Sequence, residues 1–261
     1  MITMDCSQHG RVRANLSIMK IQWRVFLLLI LVPLGLTLSV RADEMELFSE
    51  SFTDSSLNLV WLPFPGFSPN HLVPVMDPTT PEGDLWVGRQ SNEQLGGFAS
   101  LSYAGESRME NYVLEAWVYT VVVPEGRAPL NGIAVRVDPE KGCFYRLASH
   151  FDSERRLTLA YVGRDTQNYP AYLGSWEGDE IPGGAPGTGG WHKMAITCVG
   201  NKIWAYWDGH ELSGCPISDD RIARGFFGVY ANYVGGHGIV ETRVDGITVR
   251  RSGKLVKAIP R

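Results

Sequence analysis

Between Glu46 and Arg250 no stretch of ten or more residues sustains an apolar repeat of 3.6, and this limits the possible folds more than any other feature. Instead the chain carries eleven short segments rich in β-branched and aromatic residues: 46–52, 84–89, 97–103, 111–123, 132–138, 143–149, 156–163, 191–198, 202–207, 225–231 and 239–250. Most are bounded by Gly, Pro, Asn or Asp, the residues that turn a chain. The pattern predicts an all-β fold. A two-sheet antiparallel β-sandwich is the usual way for so many strands to bury their faces.

Two segments interrupt the series. Residues 61–83 hold six prolines and are excluded from a central strand, because proline lacks the N–H that a ladder needs. Residues 164–190 end in a Gly/Pro-rich run and read as a long loop carrying Tyr169, Tyr172 and Trp176. Loops of that length in a compact domain tend to be functional or mobile. No internal repeat and no linker marks a second domain. A chain of 261 residues, 44% hydrophobic, has material for one large core. With 20% charged residues and a net charge of −4 it resembles neither a disordered chain nor a nucleic-acid binder, which would show a basic excess.

The N-terminus reads as an export leader. Lys20 and Arg24 precede an apolar run from Val25 to Val40, and Val40-Arg41-Ala42 has the small-x-small form of a cleavage site. Residues 1–42 are therefore expected to be a signal peptide, with Met19 as the initiator and residues 1–18 an over-extended start. An uncleaved single-pass signal anchor, the only membrane contact expected, is the alternative, since the run is a little short of the ~20 residues that span a bilayer. The predicted domain is 43–251, followed by a basic tail, 252–261, in a secreted or periplasmic protein. Without residues 1–42, which hold five Lys/Arg and one acid, the net charge falls from −4 to −8. Cys143, Cys198 and Cys215 remain, an odd number that allows at most one internal bridge. Turns at 200–201 and 208–209 place Cys198 and Cys215 on either side of a shared strand, two spacings of ~4.8 Å apart, beyond the disulfide Cα reach of ~6.8 Å. Buried thiols are expected, a bridge being the alternative.

Several motifs in chain order carry a resemblance. Asn131, Gly132 and Arg136 are followed by Tyr145-Arg146-Leu147, by Leu157 and Leu159, and by Trp191, Met194 and Ile196. Gly200, Asp208-Gly209, then Gly225, Gly228 and Tyr230, and finally Asp245, Ile247 and Val249 complete the series, and FSESFTDSSLNLVW (48–61) looks like its opening strand. This order resembles the concanavalin A-like superfamily, in particular its laminin G-like and keto-disaccharide hydrolase-like jelly rolls. The resemblance spans roughly residues 46–250. It implies a jelly roll with one convex and one concave sheet, in a superfamily whose members bind glycans, hydrolyse them or serve as adhesion modules. It also implies a structural calcium clamping the terminal strands, for which Glu50, Asp54 and Asp245 are the matching oxygen donors.

The carboxylates do not match the hydrolases of that superfamily. Their Glu-x-Asp-x-Glu or Glu-x-Asp-x-x-Glu strand has as its nearest counterpart Glu177-Gly178-Asp179-Glu180, with the wrong third spacing. Glu241 and Asp245 share a strand face but stand ~13 Å apart, where retaining chemistry needs ~5–5.5 Å. Glu115, Asp138 and Asp152, near Arg146 and His150 in the middle strands, leave a less defined glycoside hydrolase as the alternative function. No Ser-His-Asp order, phosphate loop or His/Cys metal set stands out.

Binding is the better-supported chemistry. The apolar C–H faces of sugars stack on aromatic rings, while a few polar groups fix orientation. Asn131, Arg136, Tyr145, Arg146, His150, Tyr172, Trp176 and Trp207 are the candidates. In GWHKMAITCVGNKIWAYWDGHELSG (190–214) alternation sets Trp204 and Tyr206 against Ile203, Ala205 and Trp207, so one ring set must be core. The resemblance favours Trp191 and Tyr206 as packing residues and leaves Trp207 or Trp204 as a platform. The leading expectation is an exported, non-catalytic jelly roll binding a glycan or envelope polysaccharide. A protein-binding adhesion or scaffold module is a further alternative.

Overall fold

The computed structural model describes residues 45–92, 99–119, 128–151, 155–166, 169–187, 189–234 and 240–252. The predicted leader, Asp152 and all but Ser252 of the basic tail lie outside them. Among the described residues no helix is long and apolar enough to cross a membrane.

The chain is a sandwich of two antiparallel sheets, as the alternation predicts. Its strands are β1 (Glu46–Glu50), β2 (Leu62–Pro63), β3 (Val73–Met76), β4 (Trp86–Ser91), β5 (Ser100–Ala104), β6 (Tyr112–Tyr119), β7 (Ala128–Asp138) and β8 (Cys143–His150). Then come β9 (Arg156–Gly163), β10 (Pro170–Glu177), β11 (Trp191–Val199), β12 (Lys202–Trp207), β13 (His210–Glu211), β14 (Ile217–Ser218), β15 (Phe226–Val234) and β16 (Glu241–Arg251). One sheet runs β13-β12-β11-β6-β16-β4-β3, with β1 also on β16 and β14 on β12. The other runs β10-β9-β8-β7-β15-β5-β2. The proline-rich segment supplies only β2 and β3, and both lie at sheet edges, where a missing N–H costs least.

The main core lies between the sheets. Leu114, Ala116 and Val118 of β6, Met194, Ile196 and Cys198 of β11, and Ile203, Ala205 and Trp207 of β12 meet Ile133, Val135, Tyr145, Leu147, Leu157, Leu159 and Val229. The alternate residues of the seven-stranded sheet are also buried. Leu101, Ala134, Phe144, Ala148, Val162 and Tyr230 form a second cluster under Phe64 and Phe67. Phe64 and Phe67 lie 5.4 and 5.8 Å from the Phe144 ring, and their segment is tied to β5 by Phe64 N–H to Leu101 O and Ser68 N–H to Ala99 O. This sheet is therefore apolar on two faces, which explains why all eight residues of β8 are buried.

Gly132 marks the tightest approach in the sheet. A methyl group on its Cα would lie 2.0 Å from the Leu147 carbonyl oxygen and 2.8 Å from Ala148 Cα, both backbone atoms that cannot swing aside. Gly132→Ala is expected to lower stability by about 3 kcal/mol, the upper range for overpacking, measured as a shift in the urea midpoint.

Cys143, Cys198 and Cys215 are all free thiols, as the turn geometry predicts. Cys198 faces Ile203 across the ladder, and Cys215 Sγ accepts from Ala205 N–H at 3.4 Å.

Candidate functional site

Two features of the 164–190 segment differ from expectation. Residues 170–177 are not loop but β10, the edge strand of the seven-stranded sheet, and Tyr172/Gly174 form a register bulge against β9. Pro170 is tolerated as the first residue of an edge strand. The bulge puts Trp176 on the inner face, where it is buried and donates Nε1–H to Ser213 O at 2.8 Å. It is core, not a platform.

Strand register then sorts the other candidates. Trp207 is an inner-face residue, buried and stacked on His192 with ring centroids 4.4 Å apart. Tyr206, expected to pack, is instead the half-buried partner on the opposite face. Trp191 is half-buried, with its ring 5.3 Å from Tyr119. Asn131 faces inward and is buried, accepting from Thr242 Oγ1 and donating to Tyr119 O. Tyr145 is likewise internal: its hydroxyl donates to Asp219 Oδ1 and accepts from Ile222 N–H. Burial, reinforced by Asp219, pushes that phenol far above its ordinary pKa.

Arg136 departs most from the expected arrangement. Simple alternation would place it beside Arg146, because Ala134 and Arg146 are direct partners on one face. A bulge intervenes: Arg136 has φ +50°, and the register shifts between Val135 and Asp138 on one side and between Phe226 and Gly228 on the other. Bulges re-aim side chains. The guanidinium is wholly buried and donates to the carbonyls of Ile222, Glu110 and Gly200 at 2.9, 3.0 and 2.6 Å. It has a structural role and presents nothing to a ligand.

Arg146, His150 and Tyr172 are brought together on the outer face of the seven-stranded sheet. One row across the strands reads Tyr172, Ala160, Arg146, Ala134, Gly228, Tyr103, and its neighbour Thr158, Ala148, Gly132, Tyr230, Leu101. These rows contain no carboxylate. Arg146 is flanked by alanines on both sides and lies 5.0 Å over the Tyr230 ring. It is only 2% exposed, and its Nε and Nη1 have no hydrogen-bond partner. An arginine cannot shed its proton, and burying an unpaired cation costs several kcal/mol, against ~0.5–2 kcal/mol for a cation–π contact. His150 sits nearby, Nε2 2.7 Å from Thr158 Oγ1, with its ring 6.4 Å from that of Tyr172. Burial, with the charges of Arg146 and Arg156, drops the His150 pKa to about 3, so the imidazole is neutral at physiological pH. Tyr172 is 53% exposed, the open end of the group. Thr158 carries no sequence signal and Tyr230 is marked there only as a motif residue; their places beside His150 and Arg146 follow from register.

The three residues matched to a calcium site each have local hydrogen-bond partners. Glu50 Oε2 accepts from the Asn58 and Leu59 amides and so holds the 54–59 turn. Asp54 is exposed and bonded to Ser56. Asp245 is buried, accepts from Gly246 N–H, and is lifted to about 7 by burial together with the Asp84 and Glu82 charges. Among the described residues no three Asp, Glu, His or Cys side chains are placed to hold a metal ion.

No protein-family model and no curated protein matches the chain. Solved structures do. One described under endo-acting O-glycanases that members of the human gut microbiota express to initiate mucin breakdown is similar with a TM-score of 0.52 and 13% identity, covering 80% of this chain and 100% of that one. The carbohydrate-binding module CBM66 from Bacillus subtilis is similar with a TM-score of 0.50 and 13% identity, covering 74% and 97%. The likeness is one of fold, a two-sheet antiparallel sandwich of the jelly-roll kind.

Proposed function

We propose that the protein is an exported, non-catalytic glycan-binding domain that uses the outer face of the seven-stranded sheet. The observation that carries this is the convergence of an exposed ring, Tyr172, with two buried polar groups behind it, Arg146 and His150. A ring to stack on a sugar and a few fixed polar groups are what a saccharide site requires. The fold shared with a carbohydrate-binding module and a glycanase is consistent with this reading. The rows through Arg146 and Thr158 hold no carboxylate, and Glu177, on the His150 row, pairs with Arg156, so the described residues there do not offer the paired acid and nucleophile of a glycoside hydrolase.

A glycan array, run beside a reducing-sugar release assay on the same glycans, tests the reading. Binding without release is expected, and Tyr172→Ala is expected to weaken it roughly tenfold, the loss of one stacking contact of ~1.4 kcal/mol. Release of sugar would favour the hydrolase. Absence of any glycan signal, with a partner recovered from the cell envelope, would favour an adhesion module. Export through residues 1–42 is checked by sequencing the N-terminus of the protein recovered from the cell exterior.

A further inference from the structure

We infer that the protein has a second ligand site, an open cavity at the flank of the seven-stranded sheet away from β10, which takes a saccharide bearing a carboxylate through Arg224 and Arg108. The site is separate from the one around Tyr172; that its ligand is a saccharide rests on the glycan-binding reading.

The cavity has a volume of about 730 Å³, within the ~300–1,000 Å³ of small-molecule sites. Three segments wall it: Ser107 and Arg108 after β5, Asp138 to Lys141 at the β7–β8 turn, and Ile222 to Gly225 ahead of β15. Tyr103 and Phe226 line it from the sheet. Tyr103 ends the row that Tyr172 begins, five strand spacings of ~4.8 Å away, so the two sites do not overlap. The bulge that turns Arg136 inward falls here too, with register shifts between Val135 and Asp138 and between Phe226 and Gly228. Unlike the surroundings of Arg146, this wall reaches solvent: Ser107, Arg108, Glu140, Lys141, Ala223 and Arg224 are all exposed.

Charge selects the ligand. Asp138 is taken up by its own turn, Oδ1 accepting from Lys141 N–H at 2.9 Å and Oδ2 lying 3.4 Å from Lys141 Nζ. Arg108 and Arg224 make no hydrogen bond or ion pair among the described residues. Glu140 is the one lining acid left against them, so the cavity carries an excess of positive charge on a chain whose net charge is −4. Two accessible guanidiniums from separate loops, lining one cavity without internal acceptors, are complementary to an anion, and their planar forks match a carboxylate. Phe226 is half-buried with its ring 5.0 Å from that of Tyr103, an apolar surface for the C–H face of a sugar. Tyr103 is 8% exposed, and its hydroxyl has no partner among the described residues. Burial raises its pKa, so it stays a neutral donor for a sugar oxygen. Arg108 also borders a neighbouring cavity with Glu106 and Glu110, which Arg224 does not line, so Arg224 is the sharper probe.

The test is isothermal titration of the full chain with trigalacturonate and with neutral galactotriose, using the wild type, Arg224→Gln, Arg224→Lys and the double variant Arg108→Gln/Arg224→Gln. The wild type is expected to bind trigalacturonate at least tenfold more tightly than galactotriose. Arg224→Gln should weaken trigalacturonate binding roughly tenfold, the loss of one charge-assisted contact. Arg224→Lys should lose less, because it keeps the charge without the fork, and the double variant should bind both sugars alike. All variants are expected to keep the wild-type Tm, since neither arginine serves an internal acceptor; a lowered Tm would overturn the inference by revealing one. Equal binding of the two sugars by the wild type, or a preference that survives in the double variant, would overturn it as well. So would loss of trigalacturonate binding in Tyr172→Ala rather than in the arginine variants, which would place the acid at the other site. Absence of trigalacturonate binding overturns the inference whatever the array shows, and the glycan-binding reading is then decided separately by the array and Tyr172→Ala.

Discussion

Arg136→Met is expected to destabilise the protein by about 3–5 kcal/mol, the cost of losing three hydrogen bonds from one charged donor. The guanidinium bonds Glu110 O just before β6, Gly200 O in the β11–β12 turn and Ile222 O ahead of β15. The methionine would fill much of the volume but remove the donor from three carbonyls, of which the buried Ile222 O carries the full penalty of ~1–3 kcal/mol. Tyr112 adds to the coupling, since its hydroxyl accepts from Arg136 N–H at 2.6 Å and donates to Phe226 O. Arg136→Lys is expected to recover only part of the loss, because an ammonium on a flexible stem cannot address three acceptors in a fixed fork. Urea unfolding of both variants checks the order wild type, Lys, Met.

The second large effect is on the pH profile. His150 has an ordinary value near 6.5 and a folded value of about 3, lowered first by burial and then by Arg146 and Arg156. The unfolded state therefore binds a proton between these values and the folded state does not. Its contribution to stability is fully present above pH 6.5 and is lost as pH falls towards 3. The slope is ~1.4 kcal/mol per pH unit, or about 3 kcal/mol by pH 4.5. His150→Gln can keep a hydrogen bond to Thr158 and has nothing to titrate. In paired urea titrations the variant is expected to gain on the wild type steadily below pH 6.5. Carboxylates such as Asp77, Asp208 and Asp219, whose values are depressed in the folded protein, steepen both curves at more acid pH and cancel in the difference.

The fold was largely legible because alternation and turn chemistry act locally. KIWAYW between two Gly turns is a strand with Ile203, Ala205 and Trp207 inward whatever lies around it. The site was less legible because its geometry depends on departures from that regularity. One residue of bulge at Arg136 reverses the direction of a side chain that simple counting puts beside Arg146. A second bulge, at Tyr172/Gly174, separates an exposed tyrosine from a buried tryptophan four residues later, inside a segment whose prolines and glycines hide a strand. Tyr230 is visible in the sequence only as a motif residue and Thr158 not at all. They reach Arg146 and His150 through the pairing of β15 with β7 and of β8 with β9, which a single chain read in order does not display.

The position of β10 has a consequence for how recognition could be altered. β7 and β8 lie in the middle of their sheet, covered on both faces, so a substitution there changes folding and binding together. β10 pairs with β9 alone and leaves its other edge free of strands among the described residues. Tyr172 stands on it with half its surface in solvent. On the proposed glycan-binding reading, substitutions at this margin change contacts to a ligand while disturbing the buried Arg146 and His150 least. If the glycan array shows binding, β10 is the strand on which to build a library of variants.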